Sequence, residues 1–169
     1  MRASAVLIVL APLAAFANAM AATAISASCR SAIDSEVKNW HVPVVSKDVA
    51  AWAKQKHFNP VVATGDFDGN GETDQAVLVE TSDSVKIAVC FSNQHGTILR
   101  LIERPYCSDY VARNPARSEV YNYETGATEM IERDGISVGC FEKAGATYVY
   151  ERGSAGSWIR TDPAPGTAR

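Results

Sequence analysis

Residues 61–80 read Val-Val-Ala-Thr-Gly-Asp-Phe-Asp-Gly-Asn-Gly-Glu-Thr-Asp-Gln-Ala-Val-Leu-Val-Glu. Two short apolar runs, Val61-Val62-Ala63-Thr64 and Gln75-Ala76-Val77-Leu78-Val79, flank a polar stretch from Asp66 to Asp74. β-branched runs of this length read as strands, and the glycine-rich stretch between them reads as their turn. Within the turn, side-chain oxygens fall at the first, third, fifth and ninth positions: Asp66, Asp68, Asn70 and Asp74. The carbonyl of Glu72 occupies the seventh. Gly71, at the sixth, permits the sharp bend that turns these groups toward one point. Three carboxylates held this closely repel one another unless a cation sits between them. A plain polar turn needs only one or two Asx side chains bonded to their own backbone. The spacing therefore predicts a loop that binds one calcium ion through Asp66, Asp68, Asn70, Glu72 and Asp74.

The first nine positions follow the EF-hand loop, but the twelfth is Val77 rather than a bidentate Glu, and strands replace the flanking helices. Gly65-Asp66-Phe67-Asp68-Gly69-Asn70-Gly71 between two strands resembles the FG-GAP and VCBS-type repeats of integrin-like propellers and of many secreted bacterial proteins. The resemblance runs from Val61 to Glu80. It implies calcium at Asp66, Asp68, Asn70 and Asp74. A propeller repeats its motif once per four-stranded blade. This chain carries one copy and no internal period, so a propeller is not expected. As a whole it resembles small single-motif secreted proteins of Gram-negative bacteria, a likeness that implies no particular activity.

Outward from this stretch, the pattern is alternating after Pro60 and helical before it. Strands are expected over 61–65, 74–80, 85–91, 97–103, 118–123, 128–133, 136–141, 147–152 and 157–161. Val85, Ile87, Val89 and Phe91 alternate with Ser84, Lys86, Ala88 and Cys90, as in a half-buried strand. Asp134-Gly135 predicts a type I′ hairpin turn. Asn93-Gln94-His95-Gly96 and Glu142-Lys143-Ala144-Gly145 predict longer hairpin loops. No ten-residue helical pattern separates the strands, so parallel crossovers are unavailable. Upstream, Ile33, Val37 and Trp40 mark a helix from about Arg30 to Trp40, broken by His41-Val42-Pro43. A second helix, Lys47 to His57, has Ser46 as N-cap, Asp48 in its first turn and an apolar stripe of Val49, Trp52 and Ala53. The expected fold class is α+β: two N-terminal helices packed on an antiparallel β meander. The expected domain is 20–161, with a flexible tail over 162–169.

Met1-Arg2, an apolar run from Ala3 to Ala17 and the small-residue site Ala17-Asn18-Ala19 predict a signal peptide over residues 1–19. The mature protein would be periplasmic or secreted, with no membrane span. Four cysteines, Cys29, Cys90, Cys107 and Cys140, follow that site, and their even number in an exported chain predicts two disulfides. Three connectivities are open. A Cys107–Cys140 bridge would pin the long segment around Cys107 to the sheet. The 16 basic and 19 acidic residues give a net charge of −3, and loss of Arg2 makes it −4. An acidic chain without a basic run argues against nucleic acid as a partner.

Signatures of catalysis are sparse. His41, His57 and His95 form no His-Glu-x-x-His helix, and no Gly-x-Ser-x-Gly elbow or P-loop occurs. Glu80, Glu103, Glu119, Glu132 and Glu151 read as solvated or edge-shielding strand residues. The segment Arg104 to Arg117 lacks periodicity and reads as a long loop. Its Tyr106, Tyr110, Arg113 and Arg117 have the composition of a recognition surface. Together these features predict a monomeric, non-enzymatic, calcium-binding module that binds or inhibits a protein or glycan of the cell envelope. The alternative is a cell-envelope hydrolase with a carboxylate- or calcium-assisted site.

Overall fold

The computed structural model describes residues 24–103, 105, 108–122 and 125–151, and the backbone of 157–163. The expected signal peptide, Tyr106, Cys107 and residues 164–169 lie outside the described residues.

Helix α1 spans Ala27–Glu36. It starts three residues earlier than the apolar pattern suggests because the Ser26 side chain accepts the Cys29 N–H and so fixes the N-terminus there. Trp40 lies beyond the helix. Its Nε1 donates back to Asp34 Oδ1 at 2.8 Å, and the Arg30 guanidinium covers its ring. Helix α2 spans Lys47–Gln55 and starts as expected, with Ser46 accepting the Val49 N–H. It ends before His57, whose φ of +58° is incompatible with continuing the helix. Among the described residues, no helix is long and apolar enough to cross a membrane.

Ten strands follow: β1 (Val62–Gly65), β2 (Asp74–Glu80), β3 (Val85–Asn93), β4 (Gly96–Ile102), β5 (Tyr110–Asn114), β6 (Glu119–Asn122), β7 (Ala127–Met130), β8 (Gly135–Cys140), β9 (Ala144–Glu151) and β10 (Ser157–Pro163). The α+β class and the antiparallel pairing agree with expectation. The single meander does not. Only β1-β2-β3-β4 pair in chain order; the other six strands form a second sheet in the order β5-β8-β9-β10-β6-β7. A strand also occupies Tyr110–Asn114, inside the segment read as a loop, and pairs with β8 from Tyr110↔Gly139 to Asn114↔Gly135. Strand β10 reaches Pro163, into the stretch expected to begin the flexible tail, and its last two residues pair with Tyr121 and Val120.

The expected Asp134-Gly135 hairpin is also overturned. Strands β7 and β8 on either side of it are not partners, and neither residue has the positive φ that a type I′ turn requires. Asp134 is buried and joins the two sheets instead. Its Oδ2 accepts the Asp66 N–H at 3.0 Å and its Oδ1 the Ala116 N–H at 2.9 Å, while Arg113 Nε lies 2.9 Å from Oδ2. Gly135 is required by close packing, because a Cβ there would run into Thr147.

One core serves both sheets. Ala76, Val77, Leu78 and Val79 of β2 are all fully buried, so this strand is covered on both faces and its sequence does not alternate. The same cluster holds Cys29 and Ile33 of α1, Ile87 to Phe91 of β3, and Val111, Ile136 and Val138 of the second sheet. The helices do not share one face: α1 lies against β3 and β4, whereas Trp52 of α2 packs on Tyr110 of β5 and on Phe141 after β8. The disulfide Cys29–Cys90 ties α1 to β3, and Cys140 is disulfide-bonded as well. An intramolecular disulfide such as the buried Cys29–Cys90 bridge fits an oxidising compartment.

Candidate metal centre

The loop from Asp66 to Asp74 connects β1 to β2, whose register Val62↔Val77 to Gly65↔Asp74 brings both ends of the loop together. Phe67, the second loop residue, is fully buried and anchors the loop in the core. Gly69 and Gly71 have φ of +72° and +88°, which a side chain would strain. Gly65 admits no side chain for another reason: a Cβ there would lie 2.8 Å from Asp134 Oδ2 and 2.9 Å from Phe67 Cε1.

Asp66, Asp68 and Asp74 each bring a carboxylate oxygen to within 4.8 Å of the others, so this cluster can hold a metal ion. Two oxygens on one calcium ion lie at most about 5 Å apart, twice the usual bond length. Backbone amides preset the group. Asp66 accepts the Asn70 N–H at 2.9 Å and the Gly71 N–H at 3.0 Å. Asp68 Oδ1 accepts the Asn70 N–H at 3.0 Å. Asp74 accepts three: Phe67 at 2.9 Å, Asp68 at 3.3 Å and Ser92 at 2.8 Å. A carboxylate offers about four lone-pair sites, so Asp66 keeps two and Asp74 one beyond these bonds. Asn70 closes the ring: its Oδ1 accepts the Glu72 N–H at 2.7 Å and its Nδ2 donates to the Ser92 carbonyl at 2.6 Å.

Asp74 is the buried member, with no exposed surface, whereas Asp66 and Asp68 are half-exposed and Asn70 and Glu72 are exposed. Burial pushes the Asp74 carboxyl up from 3.8 to about 6, and the negative charge of Asp68 adds to the rise. The amides of Ser92 and Phe67 act in the opposite direction. The cluster thus sets one buried carboxylate beside two half-exposed ones, and a cation would relieve the cost of charging Asp74.

Three residues that sequence reasoning missed support the site. Ser92 of β3 forms its far wall, binding Asp74 through its N–H and the Thr73 carbonyl through its hydroxyl at 2.9 Å. Arg133 Nη1 donates to the Asp68 carbonyl at 3.4 Å and to the Tyr150 carbonyl at 3.1 Å. Asp134 holds the Asp66 N–H. Nothing local in the sequence marks Ser92 or Arg133, and Asp134 carries the signal of a turn.

The residues expected to bind a partner are dispersed. Tyr110 is half-buried, its ring 4.9 Å from Trp52 and 6.1 Å from Phe58. Burial raises its hydroxyl above the ordinary tyrosine value. Arg113, three residues along the same strand, points to the opposite face and pairs with Asp134. Arg117 sits in a turn at φ +67°, its N–H bonded to the Ile131 carbonyl. Tyr106 lies outside the described residues. Among the described residues the acidic cluster includes no histidine or cysteine, and His41 instead pairs with Glu80 at 3.1 Å.

The fold and site define an α+β protein of two antiparallel sheets with an acidic loop at their junction. Comparison of the chain with protein-family models, with curated proteins and with solved structures returns no match.

Proposed function

We propose that this is an exported, non-enzymatic binding protein, directed at a protein or glycan of the cell envelope or at a secreted partner, in which loop 66–74 holds one structural calcium ion. The observation that supports the metal is the convergence of Asp66, Asp68 and Asp74 on a loop whose amides already orient them. An all-oxygen set suits a hard cation. Asn70 Oδ1 and the Glu72 carbonyl would raise the protein ligands to about five, with water completing six to eight. Without a bidentate twelfth-position Glu, affinity falls on the order of 10⁻⁴ to 10⁻³ M, as in extracellular modules. Magnesium competes poorly, since it demands tighter octahedral geometry. Amides of the loop and of Ser92 fix the carboxylates while leaving lone pairs on Asp66 and Asp74, which favours a holding role over proton transfer. The intramolecular disulfide supports the exported reading.

Calcium at ten times its dissociation constant adds about 1.4 kcal/mol of stability, a rise in Tm of roughly 3–6 °C. Thermal unfolding in calcium, in magnesium and in chelator tests this, and Asp68→Ala should remove the rise. Identical curves in all three conditions reduce the loop to a polar turn. Hydrolysis of envelope glycans that disappears in Asp68→Ala would favour the hydrolase alternative.

A further inference from the structure

We infer that the outer edge of β4 docks an extended segment of a partner protein, one that alternates apolar and acidic side chains and adds to the first sheet as a further strand. The inference names a partner class for the binding role proposed above and rests on that reading. Strand β4 ends the order β1-β2-β3-β4. The Asn93↔Gly96 pair closes its hairpin with β3, and seven pairs run without a bulge from there to Ile87↔Ile102. Antiparallel alternation then turns the N–H and C=O groups of Thr97, Leu99 and Leu101 away from β3. Among the described residues no backbone group pairs with them. Natural sheets blunt such edges with proline, lysine, bulges or short strands. This edge has none of these: Gly96-Thr97-Ile98-Leu99-Arg100-Leu101-Ile102 is seven residues with one charge, whereas the other terminal strands, β1, β5 and β7, have four or five residues.

The two faces of the edge ask for different side chains. Leu99 stands opposite Cys90, which is bonded to Cys29, so Leu99 and Leu101 lie on the face that carries α1, half-buried against the core. Apolar residues of an added strand extend that surface. On the other face Ile98 is 45% exposed and Arg100 is exposed. Among the described residues Arg100 meets no carboxylate; its Nη1 donates to the Leu99 carbonyl at 3.1 Å, on its own strand. Glu103, the nearest acidic residue along the chain, is paired with Lys86. An incoming N–H replaces the guanidinium at the Leu99 carbonyl, and a carboxylate beside Arg100 receives the guanidinium in return. A second copy of this chain meets these needs less well. Antiparallel self-pairing centred on Arg100 sets two guanidinium groups opposite each other, and centring on Leu99 sets Arg100 against Ile98. Neither brings it an anion.

The test is fluorescence anisotropy of the whole protein with a short labelled peptide of alternating Glu and Val, and with its Lys/Val counterpart. The Glu/Val peptide should bind and the Lys/Val peptide should not. The chain's net charge of −3 favours the cationic peptide at long range, so this preference reports a local site. Arg100→Gln should weaken binding roughly tenfold. Lys143→Gln, the same loss of charge at an exposed hairpin of the second sheet, should leave affinity unchanged. Hydrogen exchange gives the second readout: bound Glu/Val peptide should slow the amides of Thr97, Leu99 and Leu101 and leave those of β7 unmoved. No Glu/Val binding, equal losses in the two variants, or binding without protection of β4 overturns the inference. Protection of β4 that grows with protein concentration alone assigns the edge to a second copy and overturns it too. Both variants should keep the calcium-dependent rise in Tm. A rise without peptide binding sinks the edge inference alone, and binding with Tm unmoved by calcium sinks the metal reading alone.

Discussion

Asp134→Ala should be among the costliest single changes outside the apolar core. The carboxylate is buried and serves three donors from three segments: Asp66 N–H in the acidic loop, Ala116 N–H after β5, and Arg113 on β5. Hydrogen bonds to a charged acceptor contribute about 1.5 kcal/mol each at the lower end of their range, so losing the two amide bonds costs about 3 kcal/mol. The ion pair adds little, because the Arg113 side chain is 52% exposed and solvent screens it; exposed pairs contribute about 0–1 kcal/mol. A total of about 3 to 4 kcal/mol lowers Tm by roughly 10 °C for a domain of this size. Arg113→Ala should lower it by only about 2 °C. Asp134→Asn should fall between, since one oxygen still accepts but its amide meets a second donor. Calorimetry of the three variants, with hydrogen exchange at Asp66 and Ala116, supplies the measurement. If Arg113→Ala costs as much as Asp134→Ala, charge rather than amide satisfaction holds the junction and the reasoning fails. It fails equally if Asp134→Ala leaves Tm within about 1 °C.

In chelator, stability should decline as pH rises from about 4 to about 6. The folded Asp74 carboxyl, at about 6 against 3.8, holds a proton that the unfolded chain has already released. The contribution is at most about 3 kcal/mol; denaturant midpoints across that window should slope for the wild type and lose this part of the slope in Asp74→Asn. Replacing Cys29 and Cys90 by Ala frees a loop of 61 residues and should cost about 4 kcal/mol by chain entropy, read from urea unfolding. A loss below about 1 kcal/mol would show that the unfolded chain is already compact there. Gly139→Ala places a methyl against the Tyr110 ring, which Trp52 and Phe58 keep from moving aside, and should cost about 1–3 kcal/mol in thermal unfolding.

What the sequence disclosed follows the range of the interactions involved. The acidic cluster of Asp66, Asp68 and Asp74 was legible because its carboxylates, the loop's glycines and the strands on either side are contiguous. Ser46 disclosed the start of α2 for the same reason. Each of the nine expected strands overlaps an observed one, but β5 escaped notice. Val111 is its only fully buried residue, and the partner that makes it a strand lies at Gly135–Cys140. The division into two sheets depends on which strands meet across long separations, and periodicity is silent about that. Asp134 shows the limit most clearly. Asp-Gly is good turn chemistry in isolation, yet burial and two distant amides recruit the carboxylate to a different task.

The two sheets are contiguous in the chain: both helices and β1–β4 end at Ile102, and β5–β10 begin at Tyr110. Domains emerge and fold in the order of synthesis. The first half contains both partners of the Cys29–Cys90 disulfide and most residues of the shared core, which Val111, Ile136 and Val138 of the second half complete. The acidic loop belongs to that early half, but the Asp66 amide and the Asp68 carbonyl wait for Asp134 and Arg133. Without the second sheet, the first would leave Val77 and Leu78 less covered and the acidic loop unbraced. Full bracing of that loop then marks the completion of the molecule.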